Sequence, residues 1–162
     1  MSRRVFCLCL LFVFALGTAG EASAKEPLGG VFGVRPGMKA DEARRRLDAA
    51  GARMIDERMK HEVWEMRDAY ISHVLVRIDA KTQVVRWVTA LARADAKRRL
   101  RYEDIGDLKH VTQHKTDGAN HTYIWKVPAT RERPGYVVEA LGRDPVYLTS
   151  YRVLRTFDQP AN

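Results

Sequence analysis

The chain has 162 residues, with 28 lysines and arginines against 20 aspartates and glutamates and a formal charge of +8. This length accommodates one ordinary domain or two small units sharing a core, and the positive balance favours anionic partners. Both cysteines, Cys7 and Cys9, fall within the first 24 residues, so the remainder excludes disulfides, thiolate metal ligands and a cysteine nucleophile.

Residues 1–24 read as an export signal. Arg3 and Arg4 form a positive start, residues 5–16 are an apolar run, and Ala22-Ser23-Ala24 fits a small-residue cleavage site. The run is too short to span a bilayer as a helix. Cleavage between Ala24 and Lys25 leaves 138 residues, 26 of them basic and 19 acidic, for a formal +7. The expectation is a periplasmic or secreted bacterial protein with no transmembrane segment in its mature chain. Nucleic acid is not an expected partner of an exported chain.

Residues 25–36 are expected to be a flexible start. Gly29-Gly30-Val31-Phe32-Gly33 is glycine-rich but lacks the Lys-Ser/Thr of a phosphate-binding loop. Pro36-Gly37 then punctuates the chain and the strongest helix signal follows. Asp41 and Glu42 fall in its first turn, where acids favour the positive end of the helix dipole, and Arg44, Arg45 and Arg46 lie nearer the negative end. Ala40, Ala43, Leu47 and Ala50 form one narrow apolar stripe, and Gly51 stands where a left-handed cap is expected. Lys39 occupies the N-cap position in place of a capping hydroxyl or carboxylate. A helix with one thin apolar face must lie on something, and the strands that follow are the platform.

Strand-like composition covers 52–59, 61–67, 70–79 and 84–93. Val74, Val76 and Ile78 share one parity; Val85, Trp87 and Leu91 share another in the fourth run. Residues 95–107 form a charged connection with Lys97, Arg98, Arg99 and Arg101 at its basic core. A second set of strands covers 108–116, 121–128, 136–141 and 146–157, with Asp117-Gly118 as a hairpin signal. The reading is an α+β fold: an N-terminal helix packed on antiparallel sheet, in two meander halves, 37–94 and 108–162, sharing one core. Layout alone suggests a repeat, since no residue-level repeat is evident.

Candidate chemistry is sparse. A two-residue turn at Asp117-Gly118 would set His114 opposite His121 with His110 on the same face, but no further ligand has suitable spacing there. Ser72 and Ser150 lie in no nucleophile motif, and carboxylate pairs such as Glu62 with Glu65 are too common to signal acid–base work. No catalytic residue, metal ligand or cofactor is assigned. The aromatic residues are more informative, because a sheet face rich in Trp, Tyr and Arg is typical of protein-binding surfaces. The candidate contact residues are Arg44, Arg45, Lys97, Arg98, Arg99, Tyr123, Trp125, Tyr147 and Tyr151.

Arg35-Pro-Gly-Met-Lys-x-x-Glu-Ala, followed by a leucine and Ala-Gly51, resembles the opening Gly-Met-(Ser/Thr)-x-x-Glu-(Val/Ala) helix of the beta-lactamase-inhibitor-protein-like superfamily. That superfamily includes the small outer-membrane-assembly lipoproteins of the SmpA/OmlA type. The resemblance covers about fifteen residues and implies a helical segment packed on antiparallel sheet, with two such units in the inhibitor proteins. Lys39 departs from the motif, there is no lipidated cysteine, and the second half has no Gly-Met helix of its own. The function expected is a non-catalytic binding module of the bacterial envelope, monomeric or weakly dimeric, that contacts an acidic envelope protein. Binding of an anionic envelope lipid or polysaccharide, and an unrecognised periplasmic hydrolase, are the alternatives.

Overall fold

A computed structural model describes residues 25–58 and 61–156. Ala24 and the rest of the expected leader, Met59, Lys60 and the tail from Phe157 lie outside the described residues. Helix α1 is Ala40–Ala49 and a single turn, α2, is Tyr102–Ile105. The strands are β1 (Arg53–Arg58), β2 (His61–Glu65), β3 (Ile71–Ile78), β4 (Val85–Ala92), β5 (Gln113–Asp117), β6 (Asn120–Val127), β7 (Tyr136–Gly142) and β8 (Ser150–Arg155). They form one antiparallel sheet in the order β1-β2-β3-β4-β8-β7-β6-β5. The protein is therefore mostly β with one short helix of length, and the two meanders meet at β4 and β8.

Local chemistry explains α1. Lys39 supplies no side-chain cap. The first helical N–H is satisfied instead by a strand loop: Ala40 N donates to Gln83 O at 2.9 Å. At the other end Gly51 adopts φ +76, Gly51 N donates to Asp48 O and Ala52 N to Leu47 O, which is a complete Schellman cap. Ala40, Ala43 and Leu47 are buried as the stripe requires.

Cross-strand register defines two sheet faces. On the inner face, Glu62, Val76, Val88, Val153, Val138 and Trp125 form one row, and Trp64, Val74, Ala90, Tyr151, Ala140 and Tyr123 the next. Most of these belong to the core, which α1 covers on one half and α2 with residues 26–34 on the other. Arg44 ties α1 to β2 by donating to the buried Glu62 carboxylate at 2.6 and 2.8 Å, and Trp64 Nε1 donates to its other oxygen at 3.1 Å. Both lone-pair ends of this carboxylate are thus satisfied, which makes its burial affordable.

Residues 25–36 are not a loose start. Val31 and Val34 are 1% and 0% exposed and exchange two backbone hydrogen bonds of 2.8 Å around a tight turn at Phe32 and Gly33, both with positive φ. Their side chains fill the core, which fixes the segment in place. The parity expected for β4 also changes. A register shift between Arg77 and Ile78 sets Ile78 opposite Val85, so Val85 turns inward while Trp87 and Leu91 face outward.

The two halves repeat in their hydrogen bonding. In the first, Ala40 N donates to Gln83 O and Val85 N to Met38 O; in the second, Tyr102 N donates to Val146 O and Leu148 N to Leu100 O. Strand order and register are symmetric about the paired Thr89 and Arg152, so one meander matches the other strand for strand. By hydrogen-bond pattern and pairing register, residues 38–43 correspond to 100–105 and Trp64 to Trp125.

Candidate interaction surface

Among the described residues, neither helix packs on the outer face of the sheet. Its central row runs Val63, Leu75, Thr89, Arg152, Glu139, Ile124. The flanking rows are His61, Arg77, Trp87, Leu154, Val137, Lys126 and Glu65, His73, Leu91, Ser150, Leu141, Thr122. None of the apolar members of these rows belongs to the core cluster. Val63, Leu75, Trp87, Leu91 and Leu154 are half-buried, Ile124 and Val137 are buried, and Leu141 is exposed. A contiguous apolar face with a polar fringe is unusual on an isolated soluble protein and marks contact surfaces.

Electrostatics adds direction. Among paired positions with described side chains on this face, Arg53, Arg77, Lys115, Lys126 and Arg152 stand against Asp56, Glu65, Asp117 and Glu139, so the sheet face is near balance and the centrally placed cation is Arg152. At the centre the Arg152 guanidinium lies 5.1 Å from the Trp87 ring centroid and its Nε donates to Thr89 Oγ1 at 3.2 Å. The His61 ring is 6.1 Å from that of Trp87 on the far side. An oriented arginine on an aromatic ring, among aliphatic side chains, combines area with a fixed cation. The sheet edges offer less. β1 carries a bulge between Met54 and Asp56, and β5 is exposed along its length with a polar sequence, features that discourage strand addition.

The residues singled out in the sequence fall elsewhere. Trp125 and Tyr151 are 2% and 6% exposed and fill the inner core, so neither presents a contact surface. Burial pushes the Tyr151 phenol up to about 12. Arg44 is held by Glu62 and serves the helix–sheet junction, while Arg45 is exposed on α1. Tyr123 is half-buried, stacked on His114 at 4.2 Å and tilted 45° against Tyr102 at 4.3 Å. Lys97, Arg98 and Arg99 are exposed on the crossover, where the Arg99 guanidinium lies 4.5 Å from the Tyr147 ring and Arg98 pairs with Asp104 at 3.4 Å. None of the nine lies on the outer face. Trp87, Arg152, Leu75, Leu91 and Leu154 were the informative set, and their signal was an apolar side chain on each parity of β3, β4 and β8.

The histidine geometry is also corrected. The loop residues are Gly118 and Ala119, so His114 faces Tyr123 and His121 faces Thr116. His121 Nδ1 is diagonal to His114 Nε2 at 3.4 Å, and His110 sits in the 3-10 turn Leu108–His110, paired with Asp107. Among the described residues no three His, Cys, Asp or Glu side chains gather as metal ligands, and no helix is long and apolar enough to cross a membrane. Compared with known proteins, the chain matches no family model, no curated protein and no solved structure.

Proposed function

We propose that this protein is an exported, non-catalytic interaction module of the bacterial envelope whose open sheet face binds an acidic protein surface. The observation that carries the reading is the outer face, on which no described helix packs, with Trp87, Leu154, Leu75 and Leu91 around a centrally held Arg152. The oriented Arg152 at its centre complements a partner carboxylate, and its apolar residues supply the desolvated centre that such contacts need. Export is supported by the sequence of residues 1–24, with its positive start, apolar run and Ala22-Ser23-Ala24. The helix α1 packed on antiparallel sheet is compatible with the layout that the superfamily resemblance implies.

The test is affinity capture from envelope extract at low and high salt, run in parallel with Leu154→Asp and Arg152→Gln. An acidic protein retained in high salt by the wild type and lost by both variants supports the reading. Retention of the same protein by folded Leu154→Asp rejects it. Retention of lipid or polysaccharide alone, lost as salt rises, would move the function to the arginines of the crossover.

A further inference from the structure

A second site lies on the helix side, away from the open face. Residues 26–30, the lead-in to α1 and the turn before β7 enclose an open cleft of about 950 Å³. Four arginines line it: Arg35, Arg46, Arg133 and Arg155. Two are already engaged. Arg46 pairs with Glu42 at 2.6 Å and donates to Gly33 O at 2.8 Å. Arg133 holds the Glu26 carboxylate through both terminal nitrogens, and Tyr136 OH donates to the same carboxylate at 3.2 Å. The Arg133 hydrogen bond keeps the Glu26 carboxyl below the usual range despite its partial desolvation. The cleft therefore binds one carboxylate in the resting structure, and the chain itself provides it.

The other two cations differ. Among the described residues, Arg35 and Arg155 make no ion pair, although both line the cleft and Glu132 is the wall's remaining carboxylate. Arg133 Nε is buried without an acceptor, a further sign that the donor set around the Glu26 site is not saturated. Planar guanidinium groups that lack internal partners and line one concave cleft suit a ligand with paired oxygens. We propose that this cleft binds a small ligand through a carboxylate or phosphate group held by Arg35 and Arg155. The site is separate from the acidic-protein surface and stands or falls independently of it.

The experiment is a titration of the folded protein with inorganic phosphate and, separately, with citrate, at ionic strength held constant with sodium chloride and followed by backbone amide NMR. Saturable shifts centred on Gly29, Gly37 and Tyr136 are expected with at least one of the two oxyanions, and the stronger binder identifies the preferred group. Arg35→Ala and Arg155→Ala should each weaken binding about tenfold, as the loss of one charged hydrogen bond implies. Both residues are exposed, so neither variant should disturb folding, and Leu154→Asp should bind the anion as the wild type does. Shifts that never saturate, equal shifts with chloride, or unchanged affinity in the double variant would overturn the assignment.

Discussion

The two halves share one frame but close it differently. In each, the residues leading into a helix bridge to the start of that half's fourth strand, and a buried tryptophan on the second strand lies beneath. Over the first half, ten residues of α1 cover the sheet with small side chains, Ala40 and Ala43, and one leucine. Over the second, α2 stops after one turn and presents bulky Tyr102 and Ile105 instead. Gly106, at the position where α1 continues with Arg44, is pressed between Pro27 and Trp125; a Cβ there would lie 3.0 Å from each. Pro27 and Leu28 occupy the space just beyond α2, joined through Leu28 N to Ile105 O at 2.9 Å. The difference teaches that the hydrogen-bond frame, not the helix, is the repeated unit: the cover can be a helix or a turn plus a strap.

This comparison breaks most readily at the tryptophans. Trp64→Ala and Trp125→Ala should each cost about 3–5 kcal/mol, since both fill the core beneath their covers. Urea denaturation followed by circular dichroism measures both. A loss well below that range for Trp125→Ala would mean that strap and α2 do not pack as a true second cover. Gly106→Ala comes next, at about 1–3 kcal/mol, because Pro27 and the Trp125 ring must give way. A neutral result there would show that the second helix is short for a reason other than the strap. Arg44→Ala should cost about 1–2 kcal/mol. It strands the Glu62 carboxylate on a single donor, but the half-exposed arginine lowers the loss from that of a fully buried pair.

Tyrosine ionisation sharpens the same comparison. Burial pushes Tyr102, Tyr136 and Tyr151 each up to about 12. An unfolded phenol loses its proton near 10, so the folded state holds the proton more tightly. That contribution is complete below about pH 10 and disappears as pH climbs towards 12. All three lie in or beside the second half, and an alkaline melt should open that half first. Absorbance at 295 nm should show a phenolate component near 12, and hydrogen exchange at pH 10–11 should report earlier opening of β5, β6 and β7 than of β2 and β3.

Much of the architecture could be read from the chain because its signals are local. Alternation in 70–79 and 146–157, the Pro36-Gly37 stop and the Gly51 cap each depend on neighbouring residues, and all eight strands and α1 appear near their expected places. What could not be read depends on partners distant in sequence. The N-cap role of Gln83 O, the bulge that turns Val85 inward and the burial of Val31 and Val34 all arise from tertiary pairing. The candidate surface suffered most. Trp and Tyr mark contact faces and cores alike, and only cross-strand register assigns Trp87 to the open face and Trp125 and Tyr151 to the core. The six-residue repeat was hidden because Met38-Lys-Ala-Asp-Glu-Ala and Leu100-Arg-Tyr-Glu-Asp-Ile conserve charge and hydrophobic character but only one kind of bond, the backbone one.

The smallest expected effect examines the frame itself. Asp79 and Asp144 occupy matching loops before β4 and β8, and each carboxylate accepts two backbone N–H bonds: from Lys81 and Thr82, and from Val146 and Tyr147. Those bonds hold both carboxyls below the usual range. The folded state thus favours the ionised form, so the contribution is present above about pH 4 and is lost as pH falls through the depressed values. Asp79→Ala and Asp144→Ala should lower the midpoint of thermal unfolding slightly and by similar amounts at pH 7, with both deficits shrinking in acid. Both side chains are solvent-accessible, so the losses stay small, and their equality matters more than their size. A deficit at Asp79 alone would mean that the second loop is set by its covers, and that the repeat stops at the strands.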